Sequence, residues 1–275
     1  MKVLSNKVAI VTGSGRGIGK AIALKLADAG ADVVVNDLDE SVAAQTADEI
    51  TALGARAAIC VGDVTLPEFA GRMVRTAVEV FGGIDIIINN AGYAWDSVIQ
   101  KTTDEQWEAM IDVHLNAPFR LLRAAQPVIA NAAKAEIERD GRAMRRTVIN
   151  ISSVAGLGGN AGQAGYAAGK MGVVGLTKTL MKEWGRYNVT VNAVAFGVIK
   201  TRMTAGEHGK STITVKDREI RAGLSREILD AMESGIPLGR AGTPEEAAGA
   251  VYLLCRPEAD YISGQVIVAG GGWSL

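Results

Sequence analysis

The sequence predicts an α/β fold, a doubly wound parallel sheet of about seven strands with helices on both faces. Three observations carry this. Short apolar runs without alternation recur along the chain, as strands buried on both faces require. Helical patterns, with apolar residues three to four apart, separate these runs. Glycine makes up 33 of the 275 residues, above the usual level of roughly 7%, as expected of a chain with many tight turns or close approaches to a ligand.

Val8–Val11 is the first strand, and it ends in the glycine-rich loop Thr12–Gly19. Ile18, Ile22, Leu26 and Ala29 then mark a helix that stops at Gly30, a C-terminal glycine. Asp32–Val35 forms a second strand ending in Asn36-Asp37, which completes a strand–helix–strand unit. The pattern repeats with a helix over Ser41–Leu53, a strand over Ala57–Val61 ending at Gly62-Asp63, and a helix over Pro67–Phe81. Ile84–Ile88 is a strand that runs into Asn89-Asn90-Ala91-Gly92. Thr103–Ala133 is helical in pattern, and Pro118 and Pro127 mark a bend or a boundary within it. Thr147–Ile151 is a strand, Tyr166–Tyr187 a helix and Thr190–Ala195 a strand. Pro244–Leu254 is a helix with Glu245 and Glu246 in its first turn, where the helix dipole favours acids, and Gln265–Ala269 is the last strand. Two stretches break the rhythm. Lys134–Arg146 is charged and reads as a solvated excursion, and Thr204–Gly235 reads as a lid over a site. No linker divides residues 1–275, so a single domain is expected.

Composition narrows the function. Hydrophobic residues are 48% and charged residues 21%, which excludes disorder, and a net charge of −1 offers no basic surface for nucleic acid or an anionic membrane. Two cysteines, Cys60 and Cys255, exclude a disulfide framework, and two histidines, His114 and His208, exclude a multi-histidine metal site; no metal is expected. Both histidines read as structural. No apolar run approaches a membrane span, and Met1–Asn6 followed by Val8–Val11 has no signal-peptide layout, so the expected location is cytoplasmic.

In an open parallel sheet, ligands bind beyond the carboxyl ends of the strands, and the unusual residues of this chain cluster there. Gly13, Gly15, Gly17 and Gly19, with Arg16 and Ile18 between them, bring bare amides and a helix N-terminus to where a pyrophosphate would lie. The spacing is neither GxGxxG nor a Walker loop. Asp37, at the end of the second strand, can accept hydrogen bonds from both hydroxyls of an adenosine ribose and would repel a 2′-phosphate, so NAD is favoured over NADP; Arg16 is the counter-indication. Asp63 and Val64 can pack against adenine, and Asn90, Ala91 and Gly92 offer a floor of small residues.

The chemistry points to a second cluster. Tyr166 and Lys170 are four apart and project from one helix face. A phenol ionising near about 10 is a poor base at neutral pH, and a neighbouring ammonium is expected to bring that value down. Ser152 and Ser153 follow a strand at the same sheet end, where a hydroxyl can hold a substrate oxygen. Asn116 sits mid-helix, an unfavourable place for asparagine unless it has a role. Alone, a Tyr-x-x-x-Lys pair also fits a solvated helix face; beside the nucleotide cluster it reads as a general acid/base.

Taken together, Thr12–Gly19, Asn89–Gly92, Tyr166–Lys170 and a serine at Ser153 resemble the short-chain dehydrogenase/reductase family over nearly the whole chain. The resemblance implies a seven-stranded Rossmann fold and a catalytic set of Asn116, Ser153, Tyr166 and Lys170. In that set, tyrosine is the acid/base, serine orients the carbonyl, lysine binds the nicotinamide ribose and asparagine holds a relay water. Gly197, Ile199 and Thr201 match positions that contact the cofactor, while Phe196 stands where the family has proline. Gly158–Tyr166 and Tyr261–Gln265 resemble 3-oxoacyl-acyl-carrier-protein reductases, and Val33–Asp37 resembles hydroxyacyl-CoA dehydrogenase domains. The implied activity is interconversion of a ketone and a secondary alcohol with NAD, on a 3-oxoacyl or 3-hydroxyacyl thioester. A steroid or other small alcohol is the alternative substrate, and a non-catalytic nucleotide binder the alternative class; a sugar-nucleotide epimerase is disfavoured for want of a larger substrate domain. Family members form tetramers through the helices around Thr103–Ala133 and Tyr166–Tyr187, so a homotetramer is expected.

Overall fold

The computed structural model describes residues 2–201, 211–215, 218–222 and 226–273. Seven parallel strands form one sheet: β1 (Val8–Val11), β2 (Asp32–Val35), β3 (Ala57–Ile59), β4 (Ile86–Asn89), β5 (Arg146–Ser153), β6 (Val189–Phe196) and, after two further strands outside it, β9 (Val266–Ala269). Their spatial order is β3-β2-β1-β4-β5-β6-β9. The chain winds outward from β1 in one direction and then from β4 in the other, so the crevice between these two strands is the topological switch point.

The layers follow from the strands' apolar residues. Ala9 and Val11 of β1 and Val33 and Val35 of β2 face one way, onto α1 (Gly17–Asp28) and α9 (Pro244–Cys255), where Ile22, Leu26, Val251 and Leu254 meet them. Val8 and Ile10 face the other way, onto α3 (Phe69–Phe81), α5 (Ala117–Asp140) and α7 (Ala164–Trp184), through Met73, Leu122, Ile129 and Trp184. Alternation along each strand thus feeds two cores, which is why the runs are apolar throughout. The remaining helices are α2 (Glu40–Ala52), α4 (Asp104–Ile111), the short α6 (Val154–Gly158) and α8 (Arg226–Ser234). Thr243 starts α9 with a capping box closed by Glu246, the acid expected in its first turn. Among the described residues, no helix is long and apolar enough to cross a membrane.

The break expected at Pro118 is present, while the readings of Pro127 and of Lys134–Arg146 change. The helical pattern over Thr103–Ala133 is two helices joined by a π-helical turn, Asp112–Asn116. Pro118, in the first turn of α5, has no N–H for the carbonyl of His114, and just before it the ladder widens so that Ala117 N–H reaches back to Asp112 O. Pro127, by contrast, lies inside α5 and ends nothing. Lys134–Arg146 is only in part the solvated excursion expected: Lys134, Glu138, Arg139, Asp140 and Arg142 are exposed, but the stretch is ordered helix over most of its length and holds one buried pair. α5 continues to Asp140, and Glu136 and Arg146 are both buried as an ion pair with Nη2···Oε1 at 2.6 Å. Glu136 also accepts from Met144 N–H, and Arg146 Nε donates to Ile84 O, so this buried pair has further partners. The arginine holds the Glu136 carboxyl below the usual glutamate range. Charge in this stretch thus marks exposure, except at Glu136 and Arg146, where each ion finds a buried partner. Of the expected lid Thr204–Gly235, residues 204–210, 216–217 and 223–225 lie outside the described residues; the rest contains the antiparallel hairpin β7 (Ser211–Val215) and β8 (Arg218–Ala222), then α8.

Candidate active site

The carboxyl ends of β1 and β4 are stapled together. Thr12 Oγ1 accepts from the N–H groups of Asn90 and Ala91 at 2.9 Å each, and Asn90 Nδ2 donates back to Thr12 O and Gly13 O at 2.9 and 3.1 Å. Gly13 has φ +61°, and a Cβ there would stand 2.8 Å from Ala91 Cα, so only glycine allows this approach. Asn36, at the end of β2, accepts from Gly13 N–H and donates to Cys60 O and Gly62 O, tying three loops to one side chain. Thr12 and Asn36 act by holding loops to one another, a role that the spacing of the motifs does not reveal.

This stapling aims the start of α1 into a cleft of about 900 Å³. Gly13, Arg16, Gly17, Ile18 and Gly19 line it at one end, and Arg16, at the N-cap, places no side chain over the helix amides. An uncapped helix N-terminus facing a cleft fits an anionic pyrophosphate. Gly15 does not line the cleft; it backs onto Asp37, whose Oδ2 would lie 2.6 Å from a Cβ there. Asp37, Asp63, Val64, Asn90, Ala91 and Gly92 continue the wall, and Gly197, Ile199 and Thr201 line the far side. Phe196, in place of proline, keeps its N–H and extends β6 by pairing with Ser153 and Ala269. Arg16 Nη2 stands 3.7 Å from Asp37 Oδ1 and 3.1 Å from Asp39 Oδ2. The cation expected to compete for a 2′-phosphate is therefore shared between two carboxylates. The residues present fit a nicotinamide dinucleotide along the whole cleft.

The second cluster lies in the same cleft. Strand β5 ends at Ser152 and Ser153, and α7 packs across that end. Ser152 Oγ is buried and donates to Lys170 O at 2.8 Å, so it holds the helix and not a substrate. Ser153, half-buried, shares a hydrogen bond with the Tyr166 hydroxyl. Lys170 is 5% exposed, donates from Nζ to Ile151 O at 2.8 Å, and sits 5.7 Å from the centroid of the Tyr166 ring. Burial pulls Lys170 down to about 7 and pushes Tyr166 above its ordinary value of 10.0; Ser153 opposes the rise and Asp96 adds to it. The expectation that the ammonium would lower the phenol is thus corrected for the protein by itself. In this low-dielectric site the desolvation of each charged form outweighs their mutual attraction.

Asn116 is not brought to this cluster. Its Nδ2 donates to Asp112 Oδ1 at 2.7 Å, and it does not line the cleft. In the helix the π turn instead presents His114, two residues earlier, edge-on to Tyr166 with ring centroids 4.8 Å apart and planes at 81°. A histidine between Val113 and Leu115 looks like core from sequence; only the widened turn and its contact with α7 reveal its neighbour. Trp95 also lines the cleft, whereas Trp184 is buried at the C-terminal end of α7 itself.

Residues 13–274 match the family described as enoyl-(acyl carrier protein) reductase. The chain is 39% identical over 269 residues to a 3-oxoacyl-[acyl-carrier-protein] reductase of Vibrio cholerae, covering 98% of each chain. It is 38% identical over 274 residues to the enzyme of the same name from Synechocystis sp., covering 99% of this chain and 98% of the other. It is 35% identical over 272 residues to subunit BbsD of the (2S)-[(R)-hydroxy(phenyl)methyl]succinyl-CoA dehydrogenase of Thauera aromatica, again covering 99% and 98%. Likeness of this extent, laid over the seven-stranded sheet that the motifs led us to expect, makes the chain a member of the short-chain dehydrogenase/reductase family.

Proposed function

We propose that this oxidoreductase interconverts a 3-oxoacyl and a 3-hydroxyacyl thioester, using NAD in preference to NADP, with Tyr166 as the acid/base. One observation carries the reading: Tyr166, Lys170 and Ser153 meet in the same cleft as the uncapped start of α1. The loop Gly13–Gly19 and the α1 amides would hold the pyrophosphate, Asp37 the adenosine ribose, Asp63 and Val64 the adenine, and Gly197, Ile199 and Thr201 the nicotinamide end. When bound, the nicotinamide supplies or takes up the hydride. Tyr166, whose burial keeps its proton on at neutral pH, gives that proton to the substrate oxygen in the reducing direction. Ser153, next to it, orients that oxygen. A protonated Lys170 close to the ring stabilises the phenolate as the proton leaves, a charge interaction strengthened by the dry surroundings. The thioester assignment is supported by the acyl-carrier-protein and CoA substrates in the relatives' names.

The direct test is a panel of 3-oxoacyl thioesters, steroid ketones and small ketones, followed through the near-ultraviolet absorbance of NADH or NADPH. Thioesters should be consumed fastest. Dinucleotide binding with no turnover of any member would leave a binding protein. The cofactor preference has its own test. Asp37→Ala removes a carboxylate that repels a 2′-phosphate and frees Arg16 from half its pairing. We expect the NADP/NAD ratio of kcat/KM to rise by at least about tenfold, since like charges at this range cost more than the roughly 1.4 kcal/mol that tenfold represents. A wild type already faster with NADPH would refute the preference. Self-association through α4, α5 and α7 belongs to the same proposal; Trp107, Phe119 and Met171 on these helices are large apolar side chains open to solvent.

A further inference from the structure

Gln163 stands where two segments far apart in sequence meet. It is the residue before α7, and its carbonyl accepts from Ala167 N–H at 2.7 Å, which opens the helix that carries Tyr166 three residues on. Its side-chain amide is engaged on both sides: Nε2 donates to Asp96 Oδ2 at 2.8 Å, and Oε1 accepts from Asn160 Nδ2 at 3.0 Å. Beside it, Ser97 N–H donates to Gly162 O at 2.8 Å, and Ser97 and Gln163 form a parallel bridge. Backbone and side chain together thus tie the loop after β4 to the start of α7. The same loop is tied at its other end, where Tyr93 O lies 2.7 Å from His114 Nε2, and His114 meets the Tyr166 ring edge-on. The contacts close a circuit: from Tyr166 to His114, to Tyr93, along the loop to Asp96, across to Gln163 and along the start of α7 to Tyr166 again. Tyr93 and Trp95, within the circuit, line the cleft. Ordering a loop costs backbone entropy at every residue, and an anchor at each end offsets that cost here.

We propose that Asp96 and Gln163 are positioning residues for the reaction: their bond clasps the loop after β4 to the start of α7, and so fixes the Tyr166 hydroxyl and the Tyr93–Trp95 wall of the cleft relative to each other. This deepens the reading of the site given above and rests on it. The bond and the charge of Asp96 have separate consequences. The bond sets where the hydroxyl stands against a substrate held by that wall. The charge reaches the phenol and adds to the rise in its ionisation, so it helps to keep the proton on Tyr166. The ionisable groups facing Tyr166 are Lys170 on its own helix, His114 from the π turn and Asp96 from the loop after β4. Ser153, from β5, meets it with an uncharged hydroxyl, and α4 comes against α7 at Gly165 through Trp107 and Met110, which carry no charge.

A reciprocal swap tests the clasp. Gln163→Glu sets two carboxylates against each other and breaks the bond, while keeping the side chain's size and an acceptor for Asn160. We expect kcat on a 3-oxoacyl thioester to fall by about tenfold or more, since a small misplacement of a reacting group is enough for that, with NADH affinity within about threefold of wild type. Adding Asp96→Asn to Gln163→Glu reverses the polarity of the pair, the new amide donating to the new carboxylate, and should bring kcat back to within about threefold of wild type. Asp96→Asn alone keeps an acceptor for Gln163 Nε2 and removes only the charge. It should leave neutral-pH kcat within about threefold, and move the alkaline limb of the pH–rate profile for reduction to lower pH. Gln163→Glu as fast as wild type, or a double variant no faster than Gln163→Glu, refutes the clasp. An unmoved alkaline limb refutes the part given to the charge. Urea unfolding of the same four proteins reads the bond without turnover: the midpoint should fall in Gln163→Glu and return in the double variant. A cycle present in unfolding and absent in kcat makes the bond structural only and overturns the proposal. A wild type inactive on every ketone sinks the functional reading instead, and the unfolding cycle still decides whether the bond forms.

Discussion

Tyr166→Phe is expected to lower kcat by about a thousandfold or more while leaving dinucleotide affinity within a few-fold of wild type. The substitution removes one oxygen. The ring stays edge-on to His114 and beneath the Lys170 ammonium, so packing is kept. What goes is the hydroxyl that shares a hydrogen bond with Ser153 at the carboxyl end of β5, where a substrate oxygen would lie. The lost hydrogen bond costs stability about 1 kcal/mol, too little to unfold a domain of this size. Single-turnover kinetics with fluorescence binding of NADH check both halves. If turnover persists near the wild-type rate, Tyr166 is not the acid/base. If binding is lost along with turnover, the phenol was supporting the cleft and not the chemistry.

Lys170→Met should abolish turnover yet stabilise the protein without ligand, and the gain should depend on pH. A lysine that ordinarily ionises at 10.5 ionises at about 7 in this fold because its charged form is buried. Between these values the unfolded chain holds a proton that the native protein has released, so wild-type stability rises with pH across that window. Below about 7 both states are protonated and the whole penalty is present. Each pH decade is worth about 1.4 kcal/mol, which puts the penalty on the order of 5 kcal/mol. The methionine variant also loses the hydrogen bond to Ile151 O, about 1 kcal/mol. It should therefore be more stable than wild type by roughly 4 kcal/mol at pH 6, and about equal to it or slightly weaker near pH 10. Urea unfolding at the two pH values measures this. A gain that is the same at both would show that Lys170 is not carried as a strained buried charge.

Both expectations rest on groups whose type and spacing were legible in the chain, but whose energetics were not. Tyr166 and Lys170 are four apart on a helix, and helical geometry alone sets them on one face. That the pair would be dry, with each charged form disfavoured, needed the packing of α7 over the end of β5. The same division runs through the glycine loop. Its bare amides could be read from Gly13 to Gly19, whereas the Thr12 and Asn36 bonds that aim it involve residues far apart in sequence. Asn116 and His114 show the limit most clearly. Both lie on a stretch that reads as regular helix; a π turn placed ahead of Pro118 rotates the frame, and the histidine, not the asparagine, faces Tyr166. Within Lys134–Arg146 the buried pair of Glu136 and Arg146 was hidden for a related reason, since these two meet only after α5 and β5 come together.

The chain by itself determined the alternation of buried strands and helices, the sheet end where the cleft opens, and the residue types that we propose for acid/base and anion-binding roles. These follow from local rules: side-chain periodicity, the φ freedom of glycine and the fixed reach of a helical turn. The tertiary structure alone decided which polar groups are buried, which ring meets Tyr166 edge-on, and which way burial displaces the ionisation of Lys170. Those depend on desolvation and on contacts between segments distant in sequence, and no local pattern encodes either.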